Sequence, residues 1–153
     1  MMGNPTPVDV QRMRKFLGEL DSSALKLDFQ EYRDNELAYP SESAVIFVNM
    51  TAPNILQIRG QWRGITTDDE SFAELTRQVH LCNVQRSGPK AYLLPTQQPM
   101  EFGLGAEFNL IVSKGASQEQ LVNFYEMALT MIFGFFQDVE RAVPQIVTWK
   151  ESS

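Results

Sequence analysis

Hydrophobic and polar positions change period several times along the chain, and each change marks an element. Residues 1–5 carry no pattern. Thr6-Pro7-Val8-Asp9 reads as a helix start, with the Thr6 hydroxyl accepting from an orphan N–H and Pro7 placed where its missing N–H costs nothing. Val10, Met13, Phe16, Leu17 and Leu20 follow at helical spacing, opposite Arg12, Arg14, Lys15 and Glu19. Asp21-Ser22-Ser23 closes this helix. Leu25, Leu27 and Phe29 then alternate with Lys26, Asp28 and Gln30, the period of a half-buried strand. Past a turn at Asp34-Asn35, the β-branched run over 44–48 predicts a more buried strand. Past Pro53-Asn54, Leu56, Ile58, Gly60 and Trp62 alternate with Gln57, Arg59, Gln61 and Arg63, which predicts a third. The links are short, so the three strands form an antiparallel meander.

Thr67-Asp68-Asp69-Glu70 has the form of a capping box, the Thr67 hydroxyl and the Glu70 carboxylate each meeting a backbone donor. The helix behind it carries Phe72, Leu75, Val79 and Cys82 on one face and ends near Ser87-Gly88-Pro89. A short strand over 91–94 and a loop over 95–99 lead to the cleanest alternation in the chain: Phe102, Leu104, Ala106, Phe108, Leu110 and Val112. Ser117 and Gln120 make a second capping box, and a helix runs from about 118 to 143, stopped by Pro144. The expected order is α-β-β-β-α-β-β-α: one α+β domain over 6–150, an antiparallel sheet packed with helices, with 1–5 and 151–153 expected as disordered tails.

Composition narrows the class. The 153 residues hold 13 Lys plus Arg against 19 Asp plus Glu, a net charge of -6. An acidic chain is a poor match for phosphate backbones, so no nucleic-acid partner is expected. One Cys makes no internal disulfide, and no stretch nears the ~20 apolar residues of a membrane span. The expectation is a soluble cytoplasmic globular domain with no membrane partner.

Candidate chemistry is sparse. His80 and Cys82 lie two apart on a helix and point to different sides, a poor nucleophile pair, and no further His or Cys completes a metal site. Asp68-Asp69-Glu70 fits the helix dipole better than a cation, since the EF-hand spacing is missing. Gly103-Leu104-Gly105 lies inside a strand and not between strand and helix, so it fails the test of a dinucleotide loop; its glycines suit the close approach of another element. Trp62 reads as core. Asn83 shares the face of Phe72 and Val79, where a polar group needs a partner; it is expected buried and hydrogen-bonded, holding the helix to the strand near Ala91. Arg86 supports the same corner or stays solvated. No catalytic, cofactor-binding or metal-ligating residue is assigned.

On the last helix Leu121, Phe124, Ala128, Ile132, Phe135 and Val139 gather on one face at about 100° per residue. Asn123, Thr130, Gln137 and Arg141 gather opposite. Val122, Leu129, Phe133 and Phe136 form a second apolar stripe on one shoulder. Exposed, that stripe is a candidate interface for a symmetric homodimer. The competing reading has the first helix cover it through Met13, Phe16 and Leu17.

From Ser71 onward the segments SFAELTRQVHLCNVQRSGPKAYLLP and EFGLGAEFNLIVSKGASQEQLVNFYEMAL resemble the YbjN family, described generically as bacterial sensory transduction regulators. The pattern is a helix ending in an Asn-containing turn, a Gly-Pro-Lys lead-in to a strand, a long strand, and the helix start Gly115-x-Ser117-x-x-Gln120-Leu121. The C-terminal half carries the likeness; the N-terminal half agrees in element order. The resemblance implies a fold like that of type III secretion chaperones and a non-catalytic domain that works through protein contacts, often paired with itself or a relative. It supplies no catalytic residue and no cofactor. The leading expectation is therefore a regulatory protein-interaction module that is not an enzyme, its protein partner unidentified. The alternative is a small-ligand sensor with a pocket between sheet and helices, the 95–99 loop and the glycines at 103 and 105 forming its mouth.

Overall fold

A computed structural model describes residues 4–20 and 26–150. Helix α1 spans Val10–Gly18, strands β1 Gln30–Arg33, β2 Glu36–Pro40, β3 Ala44–Asn49 and β4 Ile55–Trp62 follow, then helix α2 Asp69–Gln85, strands β5 Lys90–Pro95 and β6 Phe102–Ile111, and helix α3 Gln118–Ala142. The six strands form one antiparallel sheet in the order β1-β2-β3-β4-β6-β5. The fold is α+β in the expected order, with four strands in the first meander where the pattern counts three.

The extra strand comes from residues 30–40. The alternation at 25–29 does not make a strand: Leu25 lies outside the described residues, 26–29 form no regular element, and pairing begins at Gln30. β2 escapes the pattern because its first residue is an acid with only 3% of its surface exposed and its last is a proline. Helix starts shift as well. Asp9, not Thr6, caps α1, its carboxylate accepting from the Arg12 N–H at 2.8 Å. Thr6 instead pairs its backbone with Ala116. Helix α1 ends at Gly18, and the stop expected at residues 21–23 lies outside the described residues. Asp68, not Thr67, caps α2, accepting from the Ser71 N–H at 2.7 Å. The Ser117–Gln120 capping box of α3 forms in both directions, at 3.1 and 2.8 Å.

All three helices pack on one face of the sheet. That face presents Leu37, Ile46, Val48, Leu56, Ile58, Trp62, Leu104 and Ala106, all in one core with the apolar sides of the helices. Helix α3 comes closest at β4. A Cβ placed on Gly60 would lie 2.7 Å from Ile132 Cγ2 and 2.8 Å from Phe136 Cε2, so only glycine admits the helix at that depth.

This depth takes two residues, Leu129 and Phe136, out of the expected interface stripe. Leu129 and Phe136 are buried in the core, and Val122 and Phe133 are partly buried against it. The buried arc of α3 also takes in Tyr125 and Glu140 and spans about 160° at 100° per residue. The Phe16 ring meets Tyr125 edge-on at 5.8 Å, and Met13 and Leu17 are buried beside it. Leu129 and Phe136 are therefore core residues, whereas Val122 and Phe133 keep part of their surface exposed.

Replacing Gly60 by alanine overpacks this contact. Gly60→Ala should cost about 1–3 kcal/mol in urea unfolding, and an unchanged midpoint would mean that α3 yields freely there.

Candidate functional site: the helix-free face of the sheet

Strand alternation gives the sheet a second face, and no helix described above packs on it. In the register of β2, β3, β4 and β6 this face carries Glu36, Ala38, Val45, Phe47, Asn49, Gln57, Arg59, Gln61, Glu107 and Asn109. Gln57, Arg59, Gln61, Glu107 and Asn109 are the polar halves of the alternating segments, whereas Val45 and Phe47 belong to the apolar run over 44–48.

One half of the face is a closed polar ladder. Asn49 Nδ2 donates to Glu36 Oε2 at 2.7 Å, and Arg59 Nη2 reaches the same oxygen at 3.2 Å. The Arg59 guanidinium also lies over the Phe47 ring, 4.3 Å from its centre. Gln57 Nε2 donates to Glu107 at 3.0 Å and to Asn109 at 3.1 Å, and Asn109 Nδ2 donates to Glu107 at 2.8 Å. Tyr92 adds a hydrogen bond to Glu107; burial first, and then this carboxylate, push its phenol far above the usual tyrosine range. These carboxylates are engaged by side-chain donors, so the ladder fixes the face.

The other half is an apolar cleft of about 730 Å³ that takes lining residues from all six strands. Tyr32, Ala38, Phe47, Ile65 and Leu94 supply its walls, with Tyr32 and Ile65 about half exposed. The Tyr32 and Phe47 rings stand 5.4 Å apart. Of the residues expected at the mouth of a pocket between sheet and helices, Pro95, Thr96 and Gly103 border this cleft, on the side away from the helices. Gly105 sits elsewhere, under the Tyr92 ring, where a Cβ would come within 2.5 Å of that ring.

The remaining candidates fall apart from this face. His80 is exposed on α2, whereas Cys82 is buried, its thiol 3.4 Å from the Pro89 carbonyl and pushed up in pKa by burial. They form no pair. Asn83 exchanges two hydrogen bonds with Ala91, donating from Nδ2 to the carbonyl at 3.0 Å and accepting from the N–H at 2.9 Å. Its partner is the expected strand, but the residue is exposed, because β5 is the sheet edge and α2 only flanks it. Arg86 pairs with Asp138 of α3. Among the described residues no group of three or more His, Cys, Asp or Glu is placed to hold a metal ion, and no helix is long and apolar enough to cross a membrane.

One buried acid was not anticipated. Glu140 accepts from Trp62 Nε1 at 3.0 Å and from Lys150 Nζ at 2.6 Å. Burial pushes its carboxyl up, but hydrogen bonds from Lys150, Trp62 and Ser43 outweigh burial and hold it below the usual carboxylate range. On α3 it reads as one more polar residue; only the fold brings Trp62 to it, 78 positions away.

The family model YbjN, described as "Putative bacterial sensory transduction regulator", matches residues 10–141. No curated protein matches the chain. Among solved structures, the chain resembles one described as "Crystal structure of YbjN, a putative transcription regulator from E. coli", at 15% identity and a TM-score of 0.72, over 90% of this chain and 96% of that one.

Two outcomes test these assignments. The folded pKa of Glu140 is depressed, so its contribution to stability is full above the unfolded pKa and is lost as pH falls through the folded one. Glu140→Gln should therefore flatten the acid limb of stability against pH, measured by denaturant unfolding at several pH values; an unaltered limb would remove Glu140 from acid unfolding. Asn83→Ala should cost about 1–2 kcal/mol and speed hydrogen exchange at the Ala91 amide but not at Tyr92, which faces β6. Equal protection in both proteins would show that the Asn83 bond does not hold the edge.

Proposed function

The chain belongs to the YbjN family, and from the shape of its sheet we propose that it is a non-catalytic regulatory module that works by binding another protein on the helix-free face. The observation that carries this reading is the juxtaposition of a rigid polar ladder with an apolar cleft on one open surface. Exposed apolar side chains beside ordered polar groups are the make-up of a contact surface. The absence of a catalytic role belongs to the same reading: the carboxylates of the ladder are occupied by Asn49, Arg59, Gln57 and Asn109, and His80 and Cys82 stand apart. A cytoplasmic setting is part of it, with Cys82 a reduced core thiol.

The experiment is capture from the native cell extract with three variants. Tyr32→Glu and Ile65→Glu put charges into the cleft at half-exposed positions, and Met127→Glu puts one on α3, where the side chain is also partly exposed. The expected outcome is a partner captured by the wild type and by Met127→Glu and lost from both cleft variants. Light scattering of the purified chain identifies the case in which the partner is a second copy. Capture untouched by the cleft variants would move the contact off this face.

A further inference from the structure

The cleft itself has a chemistry that points to a smaller occupant. Its walls are aromatic and aliphatic, and two charged side chains border it, Glu31 and Arg63. Glu31 is paired with Arg14 of α1. Among the described residues Arg63 has no carboxylate partner: its guanidinium reaches the Ser41 carbonyl at 3.4 Å and lies 6.0 Å from the centre of the Trp149 ring. The exposed Arg63 side chain is therefore a cation bordering an apolar cavity, with no acid paired to it among the described residues, in a chain whose net charge is -6. A guanidinium is shaped to hold a carboxylate through two parallel hydrogen bonds. A volume of about 730 Å³ falls in the range that takes a small organic molecule.

We propose that the cleft binds a small amphiphilic carboxylate, a medium-chain fatty acid or an aryl-alkanoic acid, with its apolar body against Tyr32, Phe47, Ile65 and Leu94 and its carboxylate on Arg63. The floor of the cleft is suited to a flat or linear body. Gly103 lines it with no side chain, and a Cβ built there would meet its nearest atom, the Gly64 carbonyl oxygen, at 3.7 Å, an ordinary contact distance. A Cβ at Gly103 would thus fit without a clash, unlike one at Gly105, where the Tyr92 ring fills the space. Burying the apolar body supplies affinity, and Arg63 supplies the preference for an anion. This proposal goes beyond the protein-contact reading and does not rest on it. A ligand seated in the cleft would occupy part of the surface that the protein partner is proposed to use, and so would bias that contact.

The test uses decanoate and decanol, below their micelle or solubility limits, as a matched pair that differs in the head group. Binding is followed by thermal shift and by amide NMR of the full chain. Decanoate should raise the melting temperature more than decanol and move the amide signals of Arg63 and Gly103. In Arg63→Gln the advantage of decanoate should disappear while both ligands still bind weakly. Gly103→Val fills the floor and should lose both, with circular dichroism confirming that it folds. Should Gly103→Val not fold, Leu94→Gln serves as the second cleft variant. No shift with either ligand overturns the proposal, as does equal binding of acid and alcohol by the wild type, or an acid preference that survives Arg63→Gln. Any of these results leaves the protein-capture experiment standing, since that reads the cleft as a contact surface and not as a ligand cavity.

Discussion

The seating of α3 on β4 at Gly60 governs the rest of the structure. With Ile132 and Phe136 pressed against a residue that has no side chain, the helix sinks far enough to bury Leu129, Phe136 and Glu140 together with its expected core face. A helix held at that depth, 25 residues long, spans about 37 Å at 1.5 Å per residue. It leaves α1 to close one flank through Phe16 and Tyr125, and α2 to close the other, where Phe72 meets Phe102 with ring centres 4.9 Å apart. Every helix is thereby drawn to one side. The second face of the sheet is left to side chains alone, and that is where the ladder and the cleft lie.

The same seating explains which parts of the fold were legible in the sequence. Local signals were readable where they are also the physical cause: the Ser117–Gln120 box, the unbroken alternation of β6, and the Gly88-Pro89 stop after α2. Where a second partner decides, the pattern misled. Thr6 has the chemistry of a cap but spends its backbone on Ala116, and Asp9 takes the role. Leu129 and Phe136 read as part of a surface stripe because the depth that Gly60 allows α3 is a tertiary fact. β2 was invisible because Glu36 is an acid in a buried position, and what makes that tolerable, Asn49 and Arg59, comes from two other strands.

The candidate site was less legible than the fold, for a related reason. In a strand with one dry face, polar residues at the alternate positions are read as solvated, and Gln57, Arg59 and Gln61 carry no mark that they belong to an ordered surface. Their order comes from register: Gln57 stands opposite Asn109 and Asn49, and Arg59 opposite Glu107 and Phe47. Only the loop over 95–99 and Gly103 hinted at a cavity, and nothing in the alternation told which face it would open on.

The edges of the sheet also bear on how this surface can be used. In an antiparallel edge strand alternate residues point their N–H and C=O groups outward, where another strand could add. On β5 those residues are Ala91, Leu93 and Pro95. The Asn83 amide occupies both groups of Ala91, and Pro95 has no N–H to offer, so an incoming strand meets an unblocked residue only at Leu93. The opposite edge, β1, is four exposed residues long, with Glu31 and Arg33 among them and a register shift between these two. Short, charged and irregular edges resist strand addition. A partner of this domain therefore gains little by extending the sheet. Its binding energy has to come from side chains set on the open face, where the backbone is already paired and the side chains, not the ladder of main-chain hydrogen bonds, decide what is recognised.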